Sequence, residues 1–108
     1  MATKQNLTAI IYDRKGRILS IGKNSYVKTH PMMAKMAYEV GENHNRVFLH
    51  AEIDAIVKCR QLDKAYRIEI FRYNKQGKPQ LAAPCPICQG AIKKTTIKEI
   101  VFTTGEGN

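Results

Sequence analysis

"FLHAEIDAIVKC" (residues 48–59) carries Ile53, Ile56 and Val57 three and four positions apart, with Ala51, Ala55 and Cys59 beside them. Continued to Leu62, the stripe leaves Asp54, Lys58, Arg60 and Gln61 for the opposite side. That spacing predicts an amphipathic helix over residues 50–62 whose apolar face packs on a core. His50-Ala51-Glu52 falls at its start, so a possible metal ligand and a carboxylate share the first turn.

Upstream, "LTAIIY" (7–12) and "RILSIG" (17–22) are β-prone runs separated by "DRKG", in which Asp13 and Gly16 suit a short turn, so the chain opens with a β-hairpin. "THPMMAKMAYEVG" (29–41) predicts a short helix. It has Thr29 as cap, Pro31 near the first helical position, Met32, Met33, Met36 and Val40 at helical spacing, and Gly41 as a stop. Downstream, "YRIEIFRY" (66–73) opens with apolar Ile68 and Ile70 alternating with charged Arg67 and Glu69. It reads as a strand closed by the turn "NKQGKP". "ICQGAIKKT" (87–95) predicts a second helix, interrupted only by Gly90, and "IKEIVFT" (97–103) ends in the apolar run of a buried strand. Two strands, then helices alternating with strands, predict an α/β fold: a three-layer α/β/α sandwich around a mixed sheet.

The 108 residues suit one domain, residues 1–108, with no internal repeat or linker. Eighteen Lys and Arg against nine Asp and Glu give a formal charge of +9, spread along the chain. Such an excess favours anionic ligands, whether nucleotide, nucleic acid or another polyanion. No apolar segment is long enough for a signal peptide or a membrane span, so a cytoplasmic protein with no membrane partner is expected. Three cysteines, Cys59, Cys85 and Cys88, argue against a disulfide framework and toward metal or redox chemistry.

"PCPIC" (84–88) puts two cysteines three apart where a helix begins, and a helix N-terminus helps hold them as thiolates. With His50 they make three ligands. Zinc takes four in a tetrahedron, so three protein donors leave one position for water, as in a catalytic site. Glu52 is placed to exchange a proton with that water. Taken singly, the same residues have plainer roles. His50 can be a polar helix start, Glu52 an acidic first-turn residue, and the cysteine pair a redox couple or half of a zinc ribbon. A ribbon needs a fourth ligand, and Cys59, His30 and His44 are the remaining cysteine and histidine candidates. Cys59, beside the apolar stripe, suits a small buried side chain.

His-Ala-Glu followed by Pro-Cys-Pro-Ile-Cys resembles the zinc-dependent cytidine and deoxycytidylate deaminase superfamily, and the order of elements fits that family's sandwich up to Thr103. The resemblance implies that His50, Cys85 and Cys88 bind zinc and that Glu52 is the proton shuttle. It also implies hydrolytic attack at C4 of cytosine or C6 of adenine with release of ammonia. By the same resemblance Asn24 contacts the base or its sugar, the Ala51 amide donates to the base, and the Ala83 carbonyl accepts from its amino group. In the loop "GENHNRVF", Asn43, His44 and Asn45 are polar candidates for a pocket wall, and Tyr26, Phe48 and Phe71 are aromatic candidates for stacking on a base.

The expected substrate is a cytosine nucleoside or nucleotide, with dCMP favoured because His-Ala-Glu rather than Cys-Ala-Glu resembles the deoxycytidylate branch and a phosphate suits the charge. The alternatives are a cytosine or adenine within DNA or RNA, a free base such as guanine, and a non-catalytic zinc-stabilised module that binds nucleic acid. Members of the superfamily commonly assemble, so a homo-oligomer is expected.

Overall fold

The computed structural model describes residues 6–24, 31, 50–74 and 76–105. Strand β1 (Asn6–Tyr12) pairs antiparallel with β2 (Ile18–Lys23), and the turn between them is built by Asp13. One carboxylate oxygen of Asp13 accepts the amides of Lys15 and Arg17, each at 2.9 Å, and Gly16 takes the left-handed backbone (φ 85°) that the turn requires. The Arg17 amide, with that of Lys15, holds this carboxyl below its ordinary pKa, so Asp13 stays charged and committed to the turn.

Strand β3 (Arg67–Tyr73) lies antiparallel on the other side of β1, and β4 (Glu99–Phe102) runs parallel to β3, giving a mixed sheet in the order β2-β1-β3-β4. A parallel pair requires a crossover. Helix α2 (Pro86–Lys93) lies in that connection. Helix α1 (Ala51–Lys58) lies in the connection from β2 to β3. The expected α/β architecture around a mixed sheet is therefore present, and among the described residues it comprises the sheet and one helical layer. The helix expected over 29–41 lies outside the described residues except for Pro31. No helix among the described residues is long and apolar enough to cross a membrane.

The alternation read in the strands decides which face is covered. Ala9, Ile11, Ile68 and Ile70 are fully buried and share one face with Ser20 and Gly22, whereas Tyr12, Arg67 and Glu69 share the other. On that second face the Tyr12 hydroxyl donates to Glu69 at 2.8 Å and the Arg67 guanidinium sits 4.7 Å from the Tyr12 ring centre. The covered face meets Ala51, Ile53, Ala55 and Ile56 of α1 and Ile87, Cys88, Ala91 and Ile92 of α2 in one cluster. Burying each of Ile11, Ile53, Ile68 and Ile70 stabilises the fold by about 1.5–3 kcal/mol.

Two predicted elements differ in detail. The first helix ends at Lys58 rather than Leu62: Cys59 is already extended (φ −77°, ψ 114°), and a 3-10 turn (Leu62–Lys64) brings Leu62 back against the core. The apolar spacing is thus satisfied by a different backbone. The Thr96 hydroxyl, 2.6 Å from the Ala65 carbonyl and 3.1 Å from that of Leu62, ties this turn to the approach to β4. The last strand is not buried, because among the described residues it pairs only with β3 and forms the sheet edge. Ile100 and Val101 are 41% and 47% exposed among the described residues.

Helix α1 sits very close to β2. A Cβ on Gly22 would run into the backbone of Ala51 and Ala55, so only glycine permits this approach. Two polar contacts fix it. The Ser20 hydroxyl donates to the Ala55 carbonyl at 2.7 Å, and the Lys23 amide donates to the Asp54 carboxylate at 2.9 Å. Asp54 is 5% exposed, and the Lys58 ammonium 2.8 Å away balances its charge. These contacts set the first turn of α1 against the end of β2.

Candidate metal centre

Both helix N-termini come together at one end of the sheet. His50 is the residue before α1, Cys85 the residue before α2, and Cys88 lies in the first turn of α2, where Pro86 is tolerated because no amide partner is needed. The partial positive charge of a helix start favours thiolate over thiol.

The imidazole Nδ1 of His50 lies 3.2 Å from the Cys88 sulfur and 3.5 Å from the Cys85 sulfur. The three donor atoms all fall within 4.8 Å of one another. Zinc with nitrogen at about 2.0 Å and sulfur at about 2.3 Å in a tetrahedron sets N···S separations of about 3.5 Å. The donor set and its two N···S separations therefore suit zinc. Among the described residues no other group of histidine, cysteine and carboxylate side chains is placed to hold a metal.

The protonation pattern fits as well. The Cys85 thiol is lowered to about 4, first by the hydrogen bond from Cys88 and then by His50, against the opposing effect of burial. Cys88 moves the other way, because it donates to Cys85 and is buried. His50 is raised by its bond to Cys85. Zinc takes sulfur as thiolate and imidazole as the neutral ring, so loading the site would release the protons that these three groups share. Glu52, only 4% exposed at the start of α1, is raised above the ordinary carboxylate range by desolvation, while the charge on His50 opposes the shift. A carboxyl shifted in this direction holds a proton more readily than an exposed one.

Residues 2–104 match the family model of the cytidine and deoxycytidylate deaminase zinc-binding region. The chain belongs to that deaminase family. No curated protein was found to match it. In this member of the family, zinc is the metal that the His50, Cys85 and Cys88 group is placed to hold.

Other expected site residues are distributed unevenly. Ala51, buried, opens α1, and Ala83, exposed, lies two residues before Cys85, so both flank the group. Asn24 follows β2 at the same end of the sheet, but its side-chain oxygen accepts the Leu7 amide at 2.9 Å, a structural task its sequence context did not announce. Phe71 does not join the site. It alternates with Ile68 and Ile70 and therefore points to the sheet face opposite the helices. Cys59 packs partly buried at the far end of α1 from His50, as its place beside the apolar stripe suggests. His30, Tyr26, Asn43, His44, Asn45 and Phe48 lie outside the described residues. Asp54, expected on the polar face, is buried and pins β2 to α1, the helix that follows His50. Its Asp-to-Lys58 spacing of four was the available signal.

Proposed function

We propose that this protein deaminates a cytosine nucleoside or nucleotide hydrolytically, with dCMP the favoured substrate, giving the uracil product and ammonia. The observation that carries the proposal is a three-donor metal group with the buried carboxyl of Glu52 beside it. Three protein donors leave a fourth position for water. His50, Cys85 and Cys88 would hold zinc, which when bound supplies Lewis acidity that brings the pKa of water to roughly 7.

The residues of the chain do the rest. Glu52 takes up one proton of the water and delivers it to N3 as the oxygen bonds to C4. It then takes the proton of the added hydroxyl and passes it to the amine, so that the C4–N bond breaks, ammonia leaves and the carbonyl remains. Burial serves this role, because it raises the carboxyl's affinity for a proton above that of an exposed one. The Ala51 amide and the Ala83 carbonyl orient the base through its polar edge, and Asn24 meets the sugar. The single domain acts as a homo-oligomer, which adds stability to a small chain.

A second reading is favoured by the net charge of +9: deamination of a cytosine or adenine within DNA or RNA. One panel separates the two. Zinc-loaded protein is offered cytidine, deoxycytidine, CMP, dCMP, guanine and single-stranded oligonucleotides across a range of salt concentrations. Conversion of dCMP to dUMP with a shallow salt dependence is the expected result. Turnover confined to oligonucleotides and falling steeply with salt would transfer the assignment to the polynucleotide. Zinc-loaded protein that releases ammonia from none of them would refute both.

A further inference from the structure

A basic groove of about 640 Å³ lies at the end of the sheet opposite the metal group. Its location follows from the topology. It is bordered by the β1–β2 turn and by Gln61 beyond the C-terminal end of α1, whereas His50 precedes the N-terminal end of that helix. Six residues of β2 separate the two regions, roughly 16 Å at 3.3 Å per residue.

Three separate chain segments bring cations to this groove. Arg14, Lys15 and Arg17 come from the hairpin turn, Lys64 from the 3-10 turn, and Lys98 from the approach to β4. Among the described residues lining the groove, Asp13 and Asp63 oppose them; Asp13 accepts the turn amides and pairs with Arg17 at 3.8 Å, which leaves Arg14, Lys15, Lys64 and Lys98 in excess over Asp63. The groove also has an apolar and aromatic part. Ile18 is 56% exposed within it, and the Arg14 guanidinium rests 4.8 Å from the Tyr66 ring centre, which holds that cation in place. Cations at the rim beside an apolar, aromatic floor match the two halves of a nucleotide, its phosphate and its base.

We propose that this groove is a second binding site for a phosphate-bearing nucleotide, either free or as one unit of a single strand. The distance to the metal group means that its ligand is not the reacting base. The site therefore stands independently of the substrate assigned above.

The test is equilibrium binding to the full-length protein of a fluorescent ten-residue oligodeoxythymidylate and, separately, of inorganic triphosphate. The triple variant Arg14→Ala, Lys15→Ala, Lys64→Ala removes three exposed groove cations. Lys78→Ala, Lys93→Ala, Lys94→Ala removes the same charge from exposed positions elsewhere. The groove variant should weaken oligonucleotide binding at least tenfold and flatten the slope of log affinity against log salt by about 2. The control variant should change affinity less than threefold, and Glu52→Ala should leave it unaltered. If triphosphate binds, the oligonucleotide does not, and the groove variant alone loses triphosphate at least tenfold, the site is one for free nucleotides. Equal losses in the two triple variants, or no binding of either probe at low salt, would overturn the proposal whatever the deamination assay shows.

Discussion

Glu52→Gln is expected to retain one zinc per chain and to lose about 10²–10⁴-fold in deamination rate, measured as ammonia release at saturating substrate. The expectation rests on where the carboxyl sits. It is almost fully buried in the first turn of α1, and burial already favours its neutral form. An amide of the same shape therefore leaves packing undisturbed while abolishing proton exchange. The metal donors are untouched, so zinc content should equal that of the wild type. A variant that deaminates at the wild-type rate would remove Glu52 from the chemistry. One that loses zinc would give Glu52 a structural role instead.

Gly22→Ala should be the most damaging small change in the fold. The added methyl has no free space, since it meets the backbone of Ala51 and Ala55 rather than a side chain that can swing away. Overpacking against movable side chains costs about 1–3 kcal/mol, and a backbone obstacle belongs at or above the upper end. For a domain of this size the melting temperature should fall by about 10 °C or more. Displacing α1 also strains the Ser20 and Asp54 contacts and shifts His50, so zinc content should fall along with stability. A variant that melts within two or three degrees of wild type and keeps its zinc would show that the close approach of α1 to β2 is not needed.

Much of this arrangement was legible in the sequence because it rests on local patterns. The hairpin follows from Asp13 and Gly16, the covered sheet face from the alternation around Ile68 and Ile70, and the metal group from His-Ala-Glu and Pro-Cys-Pro-Ile-Cys. What escaped depends on contacts between distant segments. Gly22 looked like the end of a strand, and only the approach of α1 makes it a close-packing position. Asp54 looked exposed because periodicity places it beside Lys58, but it is buried with its carboxylate on the Lys23 amide at the end of β2. The apolar run in β4 suggested burial, whereas strand order puts it at an edge, and no periodicity within seven residues encodes neighbour order. The basic groove was invisible for the same reason: its cations come from residues 14–17, 64 and 98.

The central claim is a zinc site of one nitrogen, two sulfurs and one exchangeable position. X-ray absorption at the zinc edge of the purified protein measures it directly. The account predicts one zinc per chain with two sulfurs at about 2.3 Å and two lighter atoms at about 2.0–2.1 Å, one of them replaceable by added ligand. A third sulfur in the shell, or four protein donors with no replaceable atom, would make the site structural and contradict the account.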